Sequence, residues 1–182
     1  MKLKIATLND ISATLELHSK YQIDTIKQED KKDGFVTTAF TKDELTKLIK
    51  QEKGLFIATK NKKVVAYVMS ASWEFWNEWE MFKYMKNNLN NKSYKGIKID
   101  AINSYQYGPI CIDKELRGTN LLPEIFNFAK CNMAKRFDIL ITFVNKINPR
   151  SFNAHHKKLG LDILSEFEYN NNFYWELVSK IN

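Results

Sequence analysis

Apolar and polar positions along this chain follow two periods, and the switches between them mark out its elements. Residues 2–7 predict a short strand, and a helix is expected from the Asn9/Asp10 cap to about Tyr21. A polar, mixed segment covers 23–40. Thr41-Lys42-Asp43-Glu44 has the form of a capping box, opening a helix with Leu45, Leu48 and Ile49 inward. Leu55–Thr59 and Val64–Ser70 flank Lys60-Asn61-Lys62-Lys63 and predict a hairpin. Residues 73–89 are expected to form one helix, and 90–104 a polar loop rich in Asn, Lys and Gly. Then come strand 105–112, helix 121–135, strand 138–144, helix 149–158 and a final hairpin, 162–169 with 173–179, across Asn170-Asn171-Asn172.

The stretch 108–128, GPICIDKELRGTNLLPEIFNF, carries most of the chemical information. An apolar run, Ile110-Cys111-Ile112, leads through a charged turn to Arg117-Gly118-Thr119-Asn120 and into an amphipathic helix. Leu122, Ile125, Phe126, Ala129 and Met133 recur at the spacing of one helical face. Pro123 fits the first turn, where a missing N–H costs nothing. Unpaired backbone N–H groups and the positive end of the helix dipole make such a terminus an anion site, and Arg117 adds a fixed charge suited to phosphate. An ordinary strand–turn–helix, with Arg117 and Gly118 as turn chemistry alone, accounts for this segment equally well.

Arg117-Gly118-Thr119-Asn120-Leu121-Leu122 resembles the acetyl-CoA-binding segment of the GNAT (GCN5-related N-acetyltransferase) superfamily, written Arg/Gln-x-x-Gly-x-Gly/Ala after a strand. It matches at the arginine, with the glycine Gly118 directly after it, and departs at Asn120 and Leu122. Asparagine tolerates left-handed backbone better than other non-glycine residues, which would let Asn120 keep the turn. Residues 148–160, NPRSFNAHHKKLG, resemble a second family segment, an asparagine after the fifth strand, a short helix and Leu-Gly-Phe, here Leu159-Gly160-Leu161. In the family that asparagine bonds the pantetheine arm, and a tyrosine four residues before the glycine protonates the CoA thiolate. His156 holds that slot here. Other members carry Asn-x-x-Ser-x-x-x-His, and counting from Asn148 and Ser151 gives His155.

The resemblance implies an α/β chain with the GNAT fold. This is a mixed central sheet of about seven strands, splayed between the fourth and fifth and flanked by helices, as a single domain over 1–182. It implies acetyl-CoA as co-substrate, an amine as acceptor and no metal. Cofactor contacts are expected at Ile110, Cys111, Ile112, Arg117, Gly118, Thr119, Asn120, Leu121, Leu122, Asn148 and Ser151. The strand backbone at Ile110 and Ile112 would pair with pantetheine amides as a peptide joins a sheet edge. An imidazole at His155 or His156 has a usable acid form near neutrality. The alternative is an acyl-CoA-binding regulator with the same fold and no transfer activity.

Composition narrows the surroundings. With 182 residues and 44% hydrophobic content the chain can bury a real core. It shows no apolar run long enough to span a membrane and no export signal, so a cytoplasmic protein is expected. Cys111 and Cys131 lack metal-ligand spacing and are expected to be buried free thiols. The net charge of +7 would attract nucleic acid, but only three of the 28 basic residues are arginine and the lysines are dispersed, so a nucleic-acid partner is not expected.

Three of the four tryptophans lie in SWEFWNEWEMF. On one continuous helix Phe75, Trp79 and Phe82 would share one face and Trp73 and Trp76 another. One face would then meet the sheet, and the other an acceptor pocket or a homodimer seam. Glu74 and Glu78 lie beside these rings, and carboxylates next to aromatics suit a basic amine. Glu74, Trp76 and Glu78 are therefore the expected acceptor contacts.

Overall fold

The computed structural model describes residues 1–181. Seven strands form one mixed sheet: β1 (Lys2–Ile5), β2 (Leu55–Lys60), β3 (Lys63–Ala71), β4 (Ser104–Ile112), β5 (Ile139–Asn145), β6 (Asp162–Tyr169) and β7 (Asn172–Lys180). Their order is β1-β2-β3-β4-β5-β7-β6. The helices are α1 (Ile11–Tyr21), α2 (Lys42–Lys47), α3 (Trp73–Trp76), α4 (Glu80–Asn87), α5 (Leu121–Met133) and α6 (Pro149–Phe152). The chain divides into two compact units, Met1–Ser70 with Gly108–Ala129, and Ala71–Tyr107 with the chain from Lys130 onward.

In the first unit, β1, β2 and β3 form an antiparallel meander, with Lys4 opposite Ile57 and Ile57 opposite Tyr67. The capping box at Thr41 forms as the sequence predicts. The Glu44 N–H reaches Thr41 Oγ1 at 3.2 Å, and the Thr41 N–H donates back to the Glu44 carboxylate at 2.7 Å. Leu45, Leu48, Leu55, Phe56 and Ile57 are fully enclosed.

In the second unit, β7 lies antiparallel between β5 and β6. The parallel ladder between β4 and β5 covers only Ser104–Gln106 against Ile139–Ile141. It stops just before Gly108-Pro109, and proline has no N–H to give a ladder. The segment 90–104, expected to be a loop, contains a two-stranded hairpin, Ser93–Tyr94 with Ile97–Lys98. Trp73, Met85, Leu89, Ile99, Ile139, Ile141 and Val178 form the core of this unit.

Residues 73–89 are not one helix. The Ser72 hydroxyl accepts from the Phe75 N–H and caps a single turn, α3, and Trp79 is extended (φ −104°, ψ 125°) before α4 begins. A continuous helix would hold residues 74 and 86 about 18 Å apart. Across the break the Lys86 ammonium meets the Glu74 carboxylate at 3.0 Å. The fold-back solves the problem of two aromatic faces by joining them: Trp76 stacks on Phe82 with centroids 4.7 Å apart and touches Phe75 and Trp79.

Candidate active site

In the first unit, β4 ends at Ile112 and the chain turns through Lys114–Leu116 before α5. Asp113 organises this turn. Its carboxylate accepts from the Lys20 ammonium at 2.9 Å, the Tyr21 hydroxyl at 3.3 Å and the Glu115 N–H at 3.3 Å. Partial burial alone would raise the Asp113 carboxyl, but the Lys20 bond and the turn amide outweigh it and hold it below the usual carboxylate range. The Tyr21 hydroxyl also accepts from the Lys114 N–H at 2.7 Å, and the Tyr21 ring lies under the Arg117 guanidinium, 4.5 Å from ring centre to Cζ. Arg117 Nε donates to the Ile112 carbonyl at 2.9 Å, so the arginine is braced from two sides. That bond uses one of the two lone pairs of the Ile112 carbonyl, at the strand end expected to pair with pantetheine.

Gly118 supplies the left-handed residue of the turn (φ 84°), and a Cβ built there would meet nothing within 4 Å. Asn120 is not left-handed, contrary to the sequence expectation, because Gly118 alone reverses the chain. Asn120 serves the helix start instead. Its carbonyl accepts from the Glu124 N–H at 3.2 Å and its side-chain amide donates to the Glu124 carboxylate at 3.1 Å. Thr119 Oγ1 accepts from the Leu121 N–H at 3.3 Å. Leu121 rather than Leu122 begins the buried face of α5, followed by Ile125, Phe126, Ala129 and Met133. Cys111 is buried, and burial pushes its thiol up to about 12. Cys131 is exposed, a correction to the sequence reading: two residues past the inward Ala129, it falls on the opposite side of the helix.

In the second unit, Asn148 caps α6 by accepting from the Ser151 N–H at 3.0 Å, with Pro149 in the first turn as expected. The helix widens into a π-type turn over Asn153–Lys158. This brings Ser151 and His155 together. His155 Nδ1 lies 2.8 Å from the Ser151 carbonyl and 3.4 Å from its hydroxyl. His156 Nδ1 lies 2.7 Å from the Leu161 carbonyl, and its ring stacks on Phe152. A carbonyl only accepts, so both imidazoles carry their proton on Nδ1 and present Nε2 as the second nitrogen. His155 is buried beside the Tyr107 ring, and burial lowers its pKa against the opposing bond to the Ser151 carbonyl.

A pH dependence follows. The folded protein holds His155 neutral where an unfolded histidine would take up a proton. The stability this gives is complete above about pH 6.5 and is lost as pH falls below it. His18, buried against Tyr67, behaves alike. His155→Phe should therefore flatten part of the acid-side slope in denaturant melts between about pH 7 and 5. An unchanged slope would show that the native fold does not hold His155 neutral.

The remaining expected site residues divide by burial. Glu74 is 84% exposed at its side chain and pairs with Lys86, and Glu78 is exposed. Trp76 is fully enclosed, so it does not face outward as one continuous helix would require. Sequence reasoning passed over two residues. Tyr21 braces Arg117 and the turn, which no local pattern announces. Glu176 is fully buried, and its signal was a lone carboxylate inside the apolar run Phe173–Val178. Among the described residues no three His, Cys, Asp or Glu side chains gather as metal ligands, and no described helix is long and apolar enough to cross a membrane.

No protein-family model matches the sequence, and no curated protein matches it. Solved structures do match along the whole chain. An N-acetyltransferase from Staphylococcus aureus Mu50 is 15% identical, with a TM-score of 0.62, over 100% of this chain and 98% of that one. The yncA protein of Salmonella typhimurium, solved with its cofactor acetyl-CoA, is 10% identical with a TM-score of 0.64, over 100% and 94%. The ribosomal-protein-S18-alanine N-acetyltransferase of Escherichia coli is 10% identical with a TM-score of 0.61, over 99% and 93%. The chain has the GNAT fold, a seven-stranded mixed sheet flanked by helices.

Proposed function

We propose that this chain is an acetyl-CoA-dependent N-acyltransferase, a single functional domain that moves an acetyl group to the amine of a small, basic acceptor. The observation that carries this is the turn from β4 into α5, where Gly118 opens the backbone and Arg117 is braced at a helix N-terminus. Helix-end amides and a guanidinium together suit a diphosphate. The backbone of Ile110 and Ile112, which share one edge of the strand, would bond the pantetheine arm, with Asn148 and Ser151 as further cofactor contacts. His156 is the better candidate for the acid that protonates the leaving thiolate. With Nδ1–H given to a carbonyl, only an imidazolium can donate from Nε2, and burial disfavours that form at His155.

Arg117→Ala should weaken CoA binding by about 1–3 kcal/mol, roughly 5- to 150-fold, through loss of a charge-assisted contact. Arg117→Lys should restore little, since it lacks the fork. Calorimetric titration with CoA measures both. Unchanged CoA affinity with lost stability would make Arg117 a brace of the turn alone. Free-thiol release from acetyl-CoA with a panel of amines tests the activity itself, and CoA binding without release for any amine would assign the chain to binding.

A further inference from the structure

Glu176 on β7 is 0% exposed. The ladders place it opposite Phe143 on β5 and Ser165 on β6, so the three side chains stand together on one face of the sheet. Its Oε2 accepts from the Ser165 hydroxyl at 2.6 Å and from the Lys92 ammonium. Its Oε1 is buried with no hydrogen-bond partner. Gln106 on β4 is in the same state: its Nε2 donates to the Tyr107 carbonyl at 2.7 Å, and its Oε1 is buried with no hydrogen-bond partner. The pairings of Gln106 with Ile141 and of Ile141 with Val178 put Gln106 on the face that carries Glu176, two strands away and level with Val178, so the two unpaired atoms are separate.

Native proteins rarely leave such atoms unsatisfied. Glu176 Oε1 is an acceptor, so the group it lacks is a donor; the Lys92 ammonium already sits at Oε2, and a primary ammonium with three N–H groups in its place has donors for both oxygens. The surroundings agree. The Phe143 ring, next to Glu176, lies 5.6 Å from Phe82 and 5.7 Å from Tyr174, and aromatic faces attract ammonium groups. Lys92, between the turn Leu89–Asn91 and the short hairpin, is itself a primary ammonium. Its side chain is 18% exposed, so the carboxylate is approached from the side where Lys92 lies.

We propose that Glu176, with the Phe143 ring opposite it, binds the ammonium of a primary amine with a flat apolar body, and that Lys92 holds the place when no amine is bound. The amine's role as acceptor rests on the transferase reading above; its recognition does not. The test titrates benzylamine and its neutral isostere benzyl alcohol against wild type and Glu176→Gln, following tryptophan fluorescence and thermal melting. CoA affinity is measured separately on the same proteins. The wild type should show a saturable response to benzylamine and none to the alcohol. Glu176→Gln should weaken the amine about tenfold or more without changing CoA affinity. Lys92→Met, which removes the placeholder's charge and keeps its bulk, should bind benzylamine more tightly and regain melting temperature as the amine is added. Equal responses to amine and alcohol in the wild type would overturn the site, and that comparison needs no variant to fold. Equal benzylamine affinity in wild type and Glu176→Gln would overturn it too. Amine binding lost in Glu176→Gln, in a protein that binds no CoA, would keep the site and remove the transferase reading.

Discussion

Trp76→Ala should cost about 3–5 kcal/mol of stability, as removing a large buried aromatic does. Trp76 is fully enclosed and stands at the centre of a ring cluster, stacked on Phe82 and in contact with Phe75 and Trp79. Its loss would leave a cavity where α3 folds back against α4, so the second unit should loosen first. Trp76→Phe keeps a ring and should cost much less. Denaturant melts read the loss. Native-state hydrogen exchange reads its location, with amides of α4 losing protection before those of β1–β3. The sequence reading treated Trp76 as an acceptor contact. If Trp76→Ala were to raise the KM for an amine while leaving the melting midpoint in place, that reading would be right and the packing argument wrong.

The difference between these outcomes shows where local pattern stops being informative. Elements fixed by short-range chemistry were legible: the Thr41 capping box, the Asn148 cap with Pro149, and the buried face of α5 from Ile125 onward all stand where spacing put them. The first and last hairpins were legible as well, because their turns are short and polar. The segment 73–104 was not. Its aromatic residues fit a helical period, yet the helix breaks at Asn77–Trp79, since burying both ring faces against each other outweighs keeping one turn of backbone hydrogen bonds. The short hairpin at 93–98 has only two residues per strand, too few for a period to register. Within the candidate site the turn at 117–120 was legible, but its braces were not. Tyr21 and Asp113 lie far apart in sequence and meet only in the fold. Glu176 breaks the apolar alternation of its strand, and such a break was the one available sign of buried polar chemistry there.

The two histidines of the widened helix should separate in kinetics. If His156 protonates the leaving thiolate, His156→Ala should lower kcat by roughly 100-fold or less with CoA affinity nearly kept, because a thiolate leaves fairly well without help. His155→Ala should act mainly on stability. Its Nδ1 proton is committed to the Ser151 carbonyl, its ring packs against Tyr107, and burial keeps it neutral, so its Nε2 has no proton to give. Stopped-flow thiol release at saturating acetyl-CoA, set beside CoA titrations of both variants, gives the comparison. Equal, near-wild-type rates in the two variants would take histidine out of the chemistry. A larger kcat loss in His155→Ala at unchanged stability would show that the buried ring does react, and that its Nδ1 bond to Ser151 is broken when cofactor is bound.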